Sequence, residues 1–346
     1  MKKAIITGIL LLTGMISFVF TKAQTSAEAV EYLEDITLPF AELKDETWQY
    51  LKVVTRGKGA KKVDRKRQAL IDEIKIARGD LRRKKSFYGD EDLKNTIFQY
   101  LDLNYKVFNE DYAKIVDLEE IAEQSYDLME AYLLTKEKAN EKLNEAFDVF
   151  KSAERSFADK YNIRLLEPEE DKMSQKIKQA NALLKYYNEV YLIFFKVYKQ
   201  EAYVLDALDK GDVSGVEQNT SALGAFVSEA NEKLTSMDDY EGDGSLKLAA
   251  KEVMVFYQTE AEKDFPSLVD FYLKKDNFEK MKKIIDSKPA KNRTQEDVDK
   301  YNAAVKEYNE AVNTFNQTNT SNNEKRSKFL DKWNKEADSF FERHSI

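Results

Sequence analysis

Apolar residues recur along this chain at the three-and-four spacing of one helix face, with charge between them. Positions 118, 121, 125, 128, 132, 135, 139 and 143 carry Leu, Ile, Ser, Leu, Tyr, Thr, Ala and Leu, and Ala146, Phe150, Ala153 and Phe157 extend the seam. The same period runs through Val63, Leu70, Ile74, Ala77 and Leu81, and again through Leu93, Ile97, Tyr100 and Leu101. Stripes of this kind belong to helices that bury one side. Turn signals are sparse: Arg56-Gly57-Lys58-Gly59, Phe87-Tyr88-Gly89-Asp90, Glu167-Pro168, Lys210-Gly211-Asp212, Glu241-Gly242-Asp243-Gly244 and Lys288-Pro289. Together they predict helices over 27–56, 61–86, 91–122 and 125–161, then over 173–210, 213–236, 245–284 and 294–342. Asp90 and Ser245 fall at N-cap positions, and Thr294 with Asp297 forms a capping-box pattern. Pro266 is expected to start or kink a helix. The polar run Asn313–Asn323 is expected to loosen or interrupt the last one.

The chain also repeats itself. Gly89-Asp90 and Leu93-Lys94 match Gly242-Asp243 and Leu246-Lys247 at an offset of 153. Asp111–Asp117 matches Asp264–Asp270 at the same offset, and Leu70 and Ile74 fall on Leu223 and Val227. Phe157–Asn162 matches Phe329–Asn334 at 172, so the second copy has gained residues near 286–293 and 316–323. The expected fold is therefore all-α: tandem duplicated up-down four-helix bundles, elongated, with the first bundle over 24–166 and the second over 171–346.

The N-terminus reads as a targeting segment. Lys2 and Lys3 precede a 17-residue apolar run, Ala4–Phe20, and Thr21-Lys22-Ala23 places small residues where a signal peptidase reads them. Residues 1–23 are expected to be a signal peptide cleaved before Gln24, an uncleaved anchor being the alternative. No other stretch approaches membrane length, so no transmembrane span is expected after cleavage. The protein is expected to be exported, to the periplasm or the outer surface of a bacterial cell.

Composition then removes whole classes of chemistry. With no Cys there is no disulfide, thiolate zinc site or iron–sulfur cluster. A single His, His344, leaves neither a paired Glu-x-x-His di-iron site nor an interior triad. No Gly-rich phosphate loop is present. The acidic stretch Asp238–Ser245 resembles a calcium loop, but one starting at Asp239 would end on Ala250 instead of the bidentate Glu required. Its expected role is a capped helix–helix turn. The aromatic run Tyr186–Tyr198 is expected to be core, a sugar-stacking surface being the alternative; the chain has only Trp48 and Trp333. No cofactor or metal is expected. Carboxylates number 63, and no pair among them stands out for acid–base work.

Charge layout is more informative. Twelve basic residues lie between Lys58 and Lys85 against four acids, whereas the matching stretch 211–238 has one Lys and five acids. Lys61, Lys62, Arg65, Lys66, Arg78, Arg82, Arg83 and Lys84 are the candidate contacts for a polyanion such as acidic polysaccharide or lipid headgroups. The competing reading is charge compensation within the chain or between copies in a homo-oligomer. No aromatic interleaving suits base stacking, so specific nucleic-acid binding is not expected.

Ser125–Tyr132, Lys138–Ala146 and Gln295–Asn302 resemble stretches of a family of uncharacterised bacterial surface proteins known from spirochaetes and Bacteroidetes, which are exported, all-helical and of similar length. The resemblance implies a surface or periplasmic location and supplies no activity or site residues. Imelysin-like iron-uptake proteins are also exported duplicated bundles, but they need a His beside a Glu in an early helix, absent here. The expectation is a non-catalytic binding or structural protein, with polyanion binding through helix 61–86 as one alternative and an unrecognised hydrolase pair as another.

Overall fold

A computed structural model describes residues 18–19, 24–56, 60–112, 121–165 and 172–345. Most of the expected signal segment, Lys58 with its loop, part of the repeat (113–120) and the linker 167–171 lie outside the described residues. The chain is all-α. The helices are α1 (Gln24–Thr37), α2 (Pro39–Thr55), α3 (Ala60–Arg83), α4 (Asp92–Lys106), α5 (Tyr126–Lys160), α6 (Lys172–Asp209), α7 (Val213–Ser236), α8 (Ser245–Thr259), α9 (Phe265–Ser287) and α10 (Gln295–His344). A two-residue antiparallel pair, Phe18–Val19 with Arg164–Leu165, is the strand content of the described residues.

The helix ends follow local chemistry. Ser125 is extended and its hydroxyl accepts the Leu128 N–H at 3.2 Å, so α5 starts where the break near 123–125 was expected. Asp212 accepts the Gly215 N–H at 3.0 Å and opens α7. Both arms of the capping box form: the Asp297 N–H donates to Thr294 Oγ1 at 3.1 Å, and the Thr294 N–H to Asp297 Oδ2 at 2.9 Å. Pro266 is the second residue of α9, directly after the π-helical turn Glu260–Asp264.

Several expected boundaries move. The helix expected over 27–56 divides at Leu38, because Pro39 withholds an N–H and suits a first turn. Ser245 is not the cap of α8: Gly244 holds that place and Asp243 accepts the Ser245 N–H at 2.9 Å. The run Asn313–Asn323 does not interrupt α10, which continues to His344. Tertiary contact overrides propensity there, with Phe315 against Phe271 at 4.5 Å and Asn322 buried. The α5 seam is buried at Tyr132, Ala139, Leu143, Phe150 and Phe157, but passes through Met129, Lys136 and Phe147 instead of Leu128, Thr135 and Ala146.

The chain divides into two compact units, residues 1–189 with 338–346, and residues 190–337. The borders of these units fall inside α6 and α10, and the expected linker at 167–171 lies outside the described residues. In the first unit α2 packs on α3, α3 on α4 and α4 on α5. Phe40 stacks on Phe150 at 5.1 Å and lies tilted against Tyr100 at 5.8 Å. In the second, α7 packs on α8 and α9, Phe194 of α6 stacks on Trp333 of α10 at 4.5 Å, and Phe256 of α8 on Phe329 at 5.4 Å. The aromatic run of α6 is core: Tyr187, Val190, Tyr191, Phe194, Phe195 and Val197 are all buried, as are both tryptophans.

Local geometry recurs 153 residues on. Helices α3 and α4 begin and end at that offset from α7 and α8. α4 and α8 each run into a five-residue π-helical turn, Val107–Asp111 and Glu260–Asp264. The turns before them match too. Phe87 bridges Asp90 as Tyr240 bridges Asp243. Gly89 and Gly242 take φ of 86° and 84°, a left-handed conformation that glycine adopts without strain. The Lys94 ammonium donates to the Lys84 carbonyl, and Lys247 to that of Met237.

Candidate functional site

The expected basic surface is built on α3. Val63, Leu70, Ile74, Ala77 and Leu81 are buried, which turns most of its cations outward. The structure does not keep the eight candidates together as one stripe. Toward the C-terminal end they are engaged. Arg78 pairs with Asp102 of α4 and lies over the Tyr105 ring at 4.8 Å. Arg82 lies over Phe98 at 5.1 Å. Arg83 pairs with Asp80, and Lys84 with Asp35 of α1. Asp102 is held below its ordinary range by the Lys106 hydrogen bond, with Arg78 and Arg82 adding to it against burial.

That end also borders an acidic groove. Glu28, Glu31, Glu34 and Asp35 line a surface cavity of about 600 Å³ with Tyr32, Leu38 and Phe87. A polyanion approaching Lys84 would meet this negative wall. Inward, α3 meets acids of α2: Lys66 lies 3.5 Å from Glu46, and Glu73 is raised by burial and by Glu42.

The N-terminal end differs. Lys61, Lys62 and Arg65 are exposed. None has an ion-pair partner among the described residues, and no acid occupies the first turn of α3. Cations at a helix start work against the helix dipole, so they do not serve the stability of α3. The matching positions of α7 are Ser214, Gly215 and Gln218, behind the Asp212 cap.

A second cluster was not expected. In the second unit Glu201 of α6 and Glu260 of the π turn share Arg326 of α10. Arg326 Nε donates to Glu201, and Nη2 donates to Glu260 Oε1 at 2.6 Å. Nη1 donates to Asn323 Oδ1 at 2.6 Å. The glutamate side chains are 2% and 0% exposed. Burial raises Glu201 while Arg326 opposes the rise. Burial, then the Glu201 charge, pushes Glu260 up to about 9. Arg326 is held above its usual value, its two carboxylates outweighing burial. The signal was present in the sequence: Glu201 continues the stripe Val197, Val204, Leu208, and Arg326 the stripe Asn322, Phe329, Trp333. The 63 carboxylates hid it. No substrate reaches carboxyls this deeply enclosed, so they do not form a hydrolytic pair of the glycosidase kind, which flanks a bound sugar.

Asp239 pairs with Lys247 at 2.7 Å, so the acidic stretch 238–245 acts as a capped turn. Among the described residues no group of three or more His, Cys, Asp or Glu is placed to hold a metal ion. No described helix is long and apolar enough to cross a membrane. No protein-family model matches the chain, and neither a curated protein nor a solved structure is similar to it.

Proposed function

We propose that this protein is an exported, non-catalytic helical component of a bacterial envelope, periplasmic or on the outer surface, that works by binding a polyanion at the start of α3. The observation that carries the reading is the exposure of Lys61, Lys62 and Arg65 without ion-pair partners among the described residues. The other candidates, Lys66, Arg78, Arg82, Arg83 and Lys84, are turned to acids or rings, so they contribute internal compensation. The ligand class is acidic polysaccharide or phosphorylated lipid headgroup. The leader at 1–23 and the resemblance to exported helical surface proteins support the location. The recurrence at 153 supports descent from a duplicated four-helix unit.

Three clustered cations give a modest, salt-sensitive affinity. The test is binding of the purified chain to vesicles containing anionic lipid and to polygalacturonate, at low and physiological salt. Reversing Lys61, Lys62 and Arg65 to Glu should abolish binding, while Arg83→Glu should not, since Asp80 already holds that guanidinium. Unchanged affinity of the triple reversal overturns the proposal.

A further inference from the structure

We propose that Glu201 and Glu260 hold one proton between them on Arg326, and that this proton locks the π turn of the second unit. The two carboxyls bind one guanidinium through different nitrogens, which brings them side by side in the core of that unit. One guanidinium balances one carboxylate. The second must be neutral or stand as an unpaired buried charge, at a prohibitive cost. The remaining groups do not supply the missing positive charge. Asp264 of the π turn is itself acidic and pushes Glu260 further up. Tyr257 of α8 is fully buried beside the pair, and its hydroxyl favours the charged form of Glu201 but is itself neutral and supplies no positive charge. α7 meets the turn through Gly224, whose Cβ position lies 4.0 Å from Ala261.

The first unit shows that the fold does not need this charge. At the same offset of 153, Trp48 stands at the place of Glu201 and Val107 at that of Glu260, both buried, and the π turn forms nonetheless. At the 172 offset Glu154 stands at the place of Arg326 and pairs with Lys151, an acid with one base. At the matching described positions of the first unit there is no excess carboxyl. Glu260 sits in a π-helical turn, a geometry that recurs at functional positions and has an ordinary α-helix as its alternative. Loss of the proton places a second negative charge against Glu201 and drives the turn, with the start of α9, apart. The proton balance is one: the acid form of the pair releases a single proton and becomes two carboxylates.

Two measurements on the full chain test this. Infrared spectra should show a protonated-carboxyl stretch at neutral pH that is lost through about pH 9, and Glu260→Gln should lack it. Hydrogen exchange, corrected for intrinsic rate, should lose protection over 260–268 above that pH in the native chain. In Glu260→Gln it should not, and over 107–111 it should not in either protein. The folded state holds a proton that the unfolded chain releases above its ordinary value of 4.5. Rising pH therefore favours unfolding by about tenfold per unit relative to Glu260→Gln, up to the folded value. Absence of the carboxyl band at neutral pH, equal pH slopes in the two proteins, or equal loss of protection in both π turns overturns the proposal. Where Glu260→Gln fails to fold, the band and the contrast between the two turns in the native chain decide it alone.

Discussion

Replacing Arg326 by Met gives the sharpest energetic test of the buried cluster. The substitution keeps the length of the side chain's apolar stem and removes the guanidinium from two carboxyls that are 2% and 0% exposed. Glu201 then has no counter-ion and must take up a proton to stay buried. Its unfolded value is 4.5, so at pH 7 it is neutralised about 2.5 units above that value, a cost of ~3.4 kcal/mol at ~1.4 kcal/mol per unit. Lost hydrogen bonds, including that to Asn323, bring the expected destabilisation to about 3–5 kcal/mol. At pH 5 the protonation part shrinks to ~0.7 kcal/mol. Urea unfolding followed by Trp333 fluorescence in a Trp48→Phe background reports the second unit alone. Adding Glu201→Leu and Glu260→Leu to Arg326→Met should recover most of the loss, as buried ion clusters replaced by apolar groups often do. A penalty below about 1 kcal/mol at pH 7, or one equal at pH 5 and 7, refutes the reasoning.

Gly89→Ala and Gly242→Ala should each cost about 1–2 kcal/mol by thermal unfolding, since both positions need left-handed φ and a Cβ would meet nothing within 4 Å. Unequal costs would show that the two turns are not equivalent. Asp297 is held down at about 2 by Lys288 and by the Thr294 hydrogen bonds. Its contribution is therefore present above the unfolded value of 3.8 and lost as pH falls through about 2. The stability gap between the native chain and Asp297→Asn should close over that window, and a gap that persists in acid contradicts the assignment. Phe278→Ala removes a ring stacked on Tyr308 at 4.9 Å and 3°. Because the ring is only half-buried, a loss of about 1–2 kcal/mol is expected in chemical denaturation, short of the 3–5 of a full core Phe.

What the residues announce on their own is the part set by near neighbours. Val63, Leu70, Ile74, Ala77 and Leu81 carry their burial in their spacing, and Thr294 with Asp297 carries a helix start in four residues. The break at Pro39 is equally local, but the apolar period masks it by continuing across it through Phe40 and Leu43. The other departures are tertiary. Asn313–Asn323 has the composition of a loop, yet it stays helical because α9 offers Phe271 to Phe315. The eight cations on and just after α3 look alike in sequence, and what separates them is the position of Asp35, Asp102 and Phe98 on other helices. Glu201, Glu260 and Arg326 are 59 and 66 residues apart along the chain, and single charges on apolar stripes announce themselves only as anomalies.

The two lysines that reach back to the preceding helix carry a consequence for reagents that acylate amines. Lys94 and Lys247 each donate to a carbonyl at the end of the helix before, and Lys247 is also held by Asp239 with its side chain 12% exposed. An ammonium must shed its proton and turn to solvent before it can attack, so both should label far more slowly than Lys280, Lys300 or Lys306 on the outer faces of α9 and α10. Lys44 and Lys136, at 7% and 0% exposure, belong to the same slow class. A labelling time course read by mass spectrometry would then act as a fingerprint of the native state, with loss of the slow class marking its failure before any change in helix content.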